Sequence, residues 1–237
     1  MGITAENLAS KYGITRRQCD EFAALSHQRW VKGQKAGVFK DEICPISIKD
    51  RKGTVNFDTD EHPREETSAD SIAKLKPAFL ENGVTTAGNA SGICDGAGAV
   101  IVASEDAVAK HGLTPLARIV STHVTAVAPE IMGIGPVSAI KGALQKANLT
   151  LDQMDVIEVN EAFAAQFIAV QRELSLDMEK CNIHGGAISI GHPLAASGSR
   201  IVSHLVYELL RSTDKKYAVG SACIGGGQGI AVILEKV

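Results

Sequence analysis

From about residue 116 onward the chain alternates short apolar runs with longer segments of helical character, and no other property narrows its fold as much. Residues 116–127 read as a strand and 136–148 as a helix with Pro136 at its first position. Residues 155–159 read as a strand, 161–174 as a helix, 193–211 as a helix opened by Pro193, and 217–222 and 230–234 as two closing strands. This alternation predicts a layered α/β fold. Just upstream, the apolar run 99–103 predicts a short buried strand, and 105–111 a helix closed by Gly112.

The first third has a different texture. Thr15-Arg-Arg-Gln18 is a capping-box pattern, and residues 16–36 carry few breakers before Gly37, so one long helix is expected there, preceded by a shorter one over 5–12. Partial apolar alternation over 46–57, around Arg51-Lys-Gly53, predicts a hairpin, and the charged, proline-bearing stretch 58–66 a loop. The first third is therefore expected to be an elaborated surface region. Residues 95–102 resemble residues 227–234, each a glycine turn feeding an apolar strand, which would have meaning in a duplicated fold.

Composition narrows the partners. The 24 Lys+Arg against 27 Asp+Glu give a net charge of −3 with no basic stripe, so nucleic acid is not an expected partner. No apolar run approaches the roughly 18 residues of a membrane span, and the first residues lack the layout of a secretory or transit segment. Cys19, Cys44, Cys94, Cys181 and Cys223 are odd in number, widely spaced and free of a Cys-x-x-Cys pair, which argues against a disulfide framework and for a reducing compartment. Cys181-x-x-His184 has no second pair to complete a tetrahedral site, so no metal is expected.

Three segments carry chemistry. In Gly185-Gly-Ala-Ile-Ser-Ile-Gly-His-Pro193 a histidine follows a glycine-rich turn and is expected at a helix N-terminus. There the helix dipole disfavours imidazolium, and a neutral ring can accept a proton from a thiol; the alternative is a histidine that only caps the helix. His27, His62, His111, His123, His184 and His204 lack such a setting and read as surface or packing residues. Ser221-Ala-Cys-Ile-Gly-Gly-Gly-Gln-Gly229 places Cys223 at a strand end before side-chain-free residues whose N–H groups can converge on a negative charge, although a plain buried cysteine before a glycine hairpin fits equally. Val159-Asn-Glu-Ala-Phe163 places Asn160 at a strand-to-helix junction, either as an N-cap or as the holder of a water facing a carbonyl oxygen.

Asn160-Glu-Ala-Phe163, Gly191-His-Pro193 and Cys223-Ile-Gly-Gly-Gly227, in that order, resemble the motifs of the thiolases, and residues 216–232 closely resemble the mitochondrial 3-ketoacyl-CoA branch. Residues 1–7, 86–92 and 131–136 are similar to thiolase segments as well, so the resemblance covers essentially the whole chain. It implies a duplicated, layered α/β fold in which residues 1–112 are the remnant of the first half and residues 113–237 the C-terminal domain. It further implies that His192 activates a nucleophilic cysteine, Cys223 is the acid/base, Asn160 holds a water in one oxyanion hole and the N–H of Gly225 serves a second. Arg64, Thr67 and Ser91 are implied to contact coenzyme A, and Met132, Ala162 and Phe163 to line the thioester pocket.

The resemblance also implies the reaction: 3-ketoacyl-CoA and coenzyme A give acetyl-CoA and a shortened acyl-CoA, as in fatty-acid β-oxidation, with a Claisen condensation in reverse. Coenzyme A and 3-ketoacyl-CoA are then substrates, no further cofactor is needed, the full-length form is a homo-oligomer, a dimer or tetramer, and the location is the mitochondrial matrix. One departure matters. Thiolases carry the acyl group on a cysteine within a Cys-x-Ser-Gly segment of their first half, and this sequence contains no such segment. Most of that half is expected to be absent, and the isolated chain to be inactive. The alternatives are a non-enzymatic product that binds coenzyme A or pairs with full-length chains, and one half of a split enzyme. A smaller departure is Ala195-Ala196, where the branch usually has two glycines.

Overall fold

The computed structural model describes residues 1–51 and 53–237. Two helices open the chain, α1 (Gly2–Tyr12) and α2 (Arg16–Lys35). The expected capping box forms: the Thr15 hydroxyl accepts from the Gln18 N–H, and the Gln18 side chain accepts from the Thr15 N–H at 2.9 Å. Strands β1 (Ile46–Asp50) and β2 (Gly53–Phe57) pair antiparallel as the expected hairpin, and Lys52, which falls between them in sequence, lies outside the described residues. Two short helices follow, α3 (Ala69–Ala73) and α4 (Glu105–His111), the latter closed by Gly112 in the left-handed region.

The second half builds the sheet. Strand β3 (Ala117–Ala126) leads into α5 (Gly135–Ala147), and β4 (Val156–Val159) into α6 (Ala164–Leu174). The short α7 (Ala187–Ile190), the long α8 (Ser197–Arg211) and the hairpin β5 (Tyr217–Ile224) and β6 (Gln228–Lys236) complete it. Strand order is β3-β6-β5-β4, with β4 and β5 parallel and the other two pairs antiparallel.

Period-two alternation decides which helix covers which face. Ile157, Val159, Val219, Ala231 and Ile233 face a core shared with α5 and α6, while Val156, Ala218 and Leu234 face Ile201, Leu205 and Leu209 of α8. The result is helix, sheet and helix in layers, as the alternation predicts.

The structure departs from the sequence reading in five places. Helices α1 and α2 are not surface elaboration: Leu8, Ala9, Cys19, Phe22 and Ala23 join the α5/α6 core, and the Phe22 ring stacks on Phe167 with centroids 4.2 Å apart. Residues 99–103 form no strand; Ile101 is 94% exposed and Val102 72%. A strand is completed by ladder partners, and among the described residues none runs beside this segment, so of the two similar glycine-led segments only residues 228–236 become one. Helix α6 starts at Ala164 rather than 161, and α8 at Ser197 rather than 193. Before α6, hydrogen bonds to residues 89–91 hold the chain out of the helix, and before α8 a local turn closed on Pro193 O does so. Gly135 precedes Pro136, so the proline is the second residue of α5.

Candidate active site

Asn160 and Cys223 lie at the carboxyl ends of two neighbouring parallel strands, the usual place for ligands in open α/β sheets. The Asn160 N–H donates to the Ser221 carbonyl at 2.9 Å, which continues the β4–β5 pairing one residue past Val159 and brings Asn160 beside the strand that carries Cys223. Asn160 is therefore not the cap of α6, whose N-cap is Phe163. Residues 160–163 stay out of the helix because a second segment is stitched beside them: Ser91 N–H donates to Ala162 O at 3.1 Å and Ala164 N–H to Asn89 O at 2.9 Å.

The same segment positions His192. Its N–H donates to Gly92 O at 2.7 Å, and Ile93 and His192 form a parallel bridge. Gly191 makes this approach possible. Its φ is +89°, and a Cβ there would lie 2.5 Å from Cys94 Sγ. After His192 the chain turns through residues 193–196, with Ala196 N–H donating to Pro193 O at 2.8 Å, before α8 begins. His192 is thus five residues before the first residue of α8 rather than at a helix N-terminus, and the dipole argument does not apply. Its ring is held neutral by other causes: burial, then the nearby positive charge of Arg200. Nδ1 lies 2.5 Å from Ser197 Oγ, and Nε2 lies 3.5 Å from Asn160 Nδ2. Asn160 Oδ1 is buried and without a partner among the described residues.

Cys223 is half-buried and pairs with Gly229; burial pushes its thiol up to about 11, so it is protonated at neutral pH. Gly225 is exposed at the start of the β5–β6 turn, with Gly226 and Gly227 both at positive φ. Met132 and Ala162 are buried, and Phe163 meets Phe79 edge-on at 6.1 Å. Ser91 spends its hydroxyl proton on Ala162 O at 2.9 Å, leaving its lone pairs to other donors. Arg64 is exposed and Thr67 half-buried, on a loop anchored by the Arg64 N–H to His27 Nδ1 at 3.2 Å. The neighbouring His62 packs against Gly92, so this loop borders the segment that holds His192, but among the described residues no hydrogen bond joins Arg64 or Thr67 to His192, Asn160 or Cys223.

Several supporting residues carry no motif signal of their own. Glu161, fully buried, accepts from Ser26 Oγ at 2.7 Å, Asn182 Nδ2 at 2.9 Å and Ile188 N–H at 3.2 Å, and burial pushes its carboxyl up despite these donors. Asn182 clamps β4 by bonding both the N–H and the carbonyl of Val159. Gly186 must lack a side chain, since a Cβ there would lie 2.5 Å from the Glu161 carboxyl carbon. Only the position of Glu161 inside Asn160-Glu-Ala-Phe163 hints at this network.

A second cluster, His184, His204 and Glu208, has ligand atoms within 4.8 Å of one another, and Cys181 is not part of it. Most of its polar groups are already matched, while His184 Nδ1, buried, faces Glu208 Oε1 at 3.3 Å without a hydrogen bond. Glu208 is held by Arg211 Nη1 at 2.5 Å and Lys215 Nζ at 3.0 Å, and His204 Nδ1 faces Glu42 at 3.0 Å. Burial opposes charge on His204, but the Glu42 carboxylate overcomes it and raises its pKa. This is an ion-pair cluster that ties α8 to residues preceding the hairpin.

The thiolase C-terminal domain family matches residues 113–236 and the thiolase N-terminal domain family residues 1–106. The chain is 59% identical over 236 residues to human mitochondrial 3-ketoacyl-CoA thiolase, a match that covers 100% of this chain and 59% of that protein. It is 52% identical to an acetyl-CoA acetyltransferase of Pseudomonas aeruginosa, with 100% and 60% covered. Among solved structures, human mitochondrial 3-ketoacyl-CoA thiolase superposes with a TM-score of 0.98 at 59% identity, covering 100% of this chain and 60% of that one. The same human enzyme in complex with CoA gives 0.96 at 58% identity, covering 100% and 59%. The chain spans less than two thirds of the length of these relatives, yet its whole length follows their fold, and it belongs to the thiolase family of acyltransferases.

Proposed function

We propose that this chain carries the histidine, asparagine and acid/base cysteine of a 3-ketoacyl-CoA thiolase, which cleaves 3-ketoacyl-CoA with coenzyme A. The observation that carries the reading is the meeting of His192 Nε2 with Asn160 Nδ2 at 3.5 Å, beside the strand end that bears Cys223. In the forward direction His192 Nε2 takes the proton of the nucleophilic thiol supplied by the family's Cys-x-Ser-Gly segment. That sulfur attacks the 3-keto carbon, the bond between C2 and C3 breaks, and its electron pair passes to the departing acetyl-CoA carbanion, which the Cys223 thiol protonates. Incoming coenzyme A returns a proton to Cys223 and its sulfur attacks the acyl-enzyme; the bond to the nucleophile's sulfur breaks, that thiolate takes back the proton from His192 Nε2, and the shortened acyl-CoA is released. Water held by Asn160 and the N–H of Gly225 stabilise the oxyanions, Met132, Ala162 and Phe163 line the thioester pocket, and Arg64, Thr67 and Ser91 bind coenzyme A. A mitochondrial location belongs to the same reading and rests on the names of the relatives.

Because the sequence contains no Cys-x-Ser-Gly segment, the isolated chain binds coenzyme A without turnover. Calorimetric titration of coenzyme A into the chain is expected to show saturable binding, weakened about tenfold in Arg64→Ala. No binding overturns the coenzyme A assignment, and a covalent acetyl-enzyme formed on this chain with thiolytic turnover overturns its inactivity. The exposed Ile93 and Ile101, 84% and 94% accessible, favour a second reading in which the chain works as one part of a split or mixed assembly. Mixing it with a polypeptide that carries the nucleophile segment restores thiolysis if that reading is right.

A further inference from the structure

Ser197, outside the set of residues that the family resemblance assigns, touches the His192 ring at the nitrogen that faces away from Asn160. It is the first residue of α8, 4% exposed, and its Oγ sits 2.5 Å from His192 Nδ1. The same hydroxyl donates to Pro193 O at 3.2 Å. A serine hydroxyl has a single proton, and when it is turned to the Pro193 carbonyl the oxygen is free to accept from Nδ1–H. At the other end of the ring, Nε2 faces the Asn160 amide nitrogen, which has only hydrogens to offer, and so must itself be the acceptor. The two contacts agree on one tautomer.

We infer that Ser197 is a positioning residue that keeps the His192 proton on Nδ1, so that Nε2 is the nitrogen free to exchange a proton with a reacting sulfur. The backbone prepares this arrangement. Ala196 N–H and Ser197 N–H both donate to Pro193 O, at 2.8 and 2.9 Å, and the tight turn they close fixes the hydroxyl relative to the ring. The Ser221 bond to the Asn160 N–H fixes the opposite partner. The role matches the orienting carboxylate of a catalytic triad, with a neutral hydroxyl in its place, so the ring is oriented without an added negative charge. The inference rests on His192 being the proton-transfer residue of the proposed function.

The test is the tautomer itself, read by long-range proton–nitrogen correlation on the intact chain with nitrogen-15-labelled histidine, above the titration range of the ring. The His192 signals are identified by their loss in His192→Gln. The wild type is expected to show a protonated Nδ1 and a bare Nε2, Ser197→Ala to lose that pattern in favour of Nε2–H, and Ser197→Thr to restore it. A wild-type ring protonated on Nε2, or a Ser197→Ala spectrum identical to wild type, overturns the inference. Should Ser197→Ala fail to fold, the wild-type tautomer decides alone. Coenzyme A titration on the same samples separates the two claims, since loss of the functional reading leaves the tautomer unaffected.

Discussion

The Glu161 carboxylate accepts a hydrogen bond from the Ser26 hydroxyl at 2.7 Å, joining two residues 135 positions apart in a fully buried pair. Through it, helix α2 is fastened to the segment that presents Asn160, and the glycine-rich turn before His192 closes over both. Replacing Glu161 by alanine leaves the Ser26 hydroxyl, the Asn182 amide and the Ile188 N–H without their acceptor. Each such buried donor costs about 1–3 kcal/mol. Glu161→Ala is expected to lower unfolding free energy by about 3–5 kcal/mol in a urea titration, with Glu161→Gln milder; a change below about 0.5 kcal/mol would show that the network is not structural.

Gly191→Ala is expected to displace His192. The residue sits at φ +89° and ψ 168°, a conformation open to glycine alone, and its added methyl would meet Cys94 Sγ at 2.5 Å. The expected cost is about 1–3 kcal/mol, seen as a lower melting temperature together with a shifted His192 resonance. Pairing it with Cys94→Ala should recover the steric part and leave the backbone part, which a double-mutant cycle reads directly.

Phe167 is wholly buried and stacks on Phe22, so Phe167→Ala removes both a large apolar side chain and the seam between α6 and α2. A loss of about 3–5 kcal/mol is expected. A loss near 1 kcal/mol, about the effect of an average substitution, would mean that α2 is not packed on α6 in solution.

His27 supplies the pH test. Burial, then the charges of His62 and Arg64, lowers its pKa from 6.5 to about 4, and its Nδ1 accepts the Arg64 N–H. The unfolded chain therefore binds this proton first as the solution is acidified. The stability contribution is complete above pH 6.5 and is lost progressively as pH falls from there to about 4. His27→Asn can keep an acceptor near Nδ1 and removes the titration, so its stability should fall less steeply across this window. Equal slopes for the two proteins would contradict the buried, neutral state.

Much of the architecture was legible before any coordinates. The Thr15 capping box, the glycine stop after α4, the β3 and β4 runs and the closing β5–β6 hairpin are encoded in neighbouring residues, so side-chain chemistry within a few positions was enough to read them. The motifs around Asn160, His192 and Cys223 were legible for the same reason: each is a short string. Residues 99–103 show the limit. Their apolar pattern is that of a buried strand, but a strand needs a neighbour, and pattern alone does not provide one.

What the sequence determined by itself was the order of elements, the layered class and the three short segments that carry the chemistry. Tertiary structure decided the rest. It drew α1 and α2 into the core, delayed α6 by hydrogen bonds to residues 89–91, and took His192 away from a helix end to set it between Ser197 and Asn160. Glu161 with Ser26, and His204 with Glu42, are pairs whose members stand 135 and 162 positions apart. Contacts at such separations exist only once the chain has closed on itself, because the free energy that orders them comes from burial of the whole core rather than from any neighbouring residue.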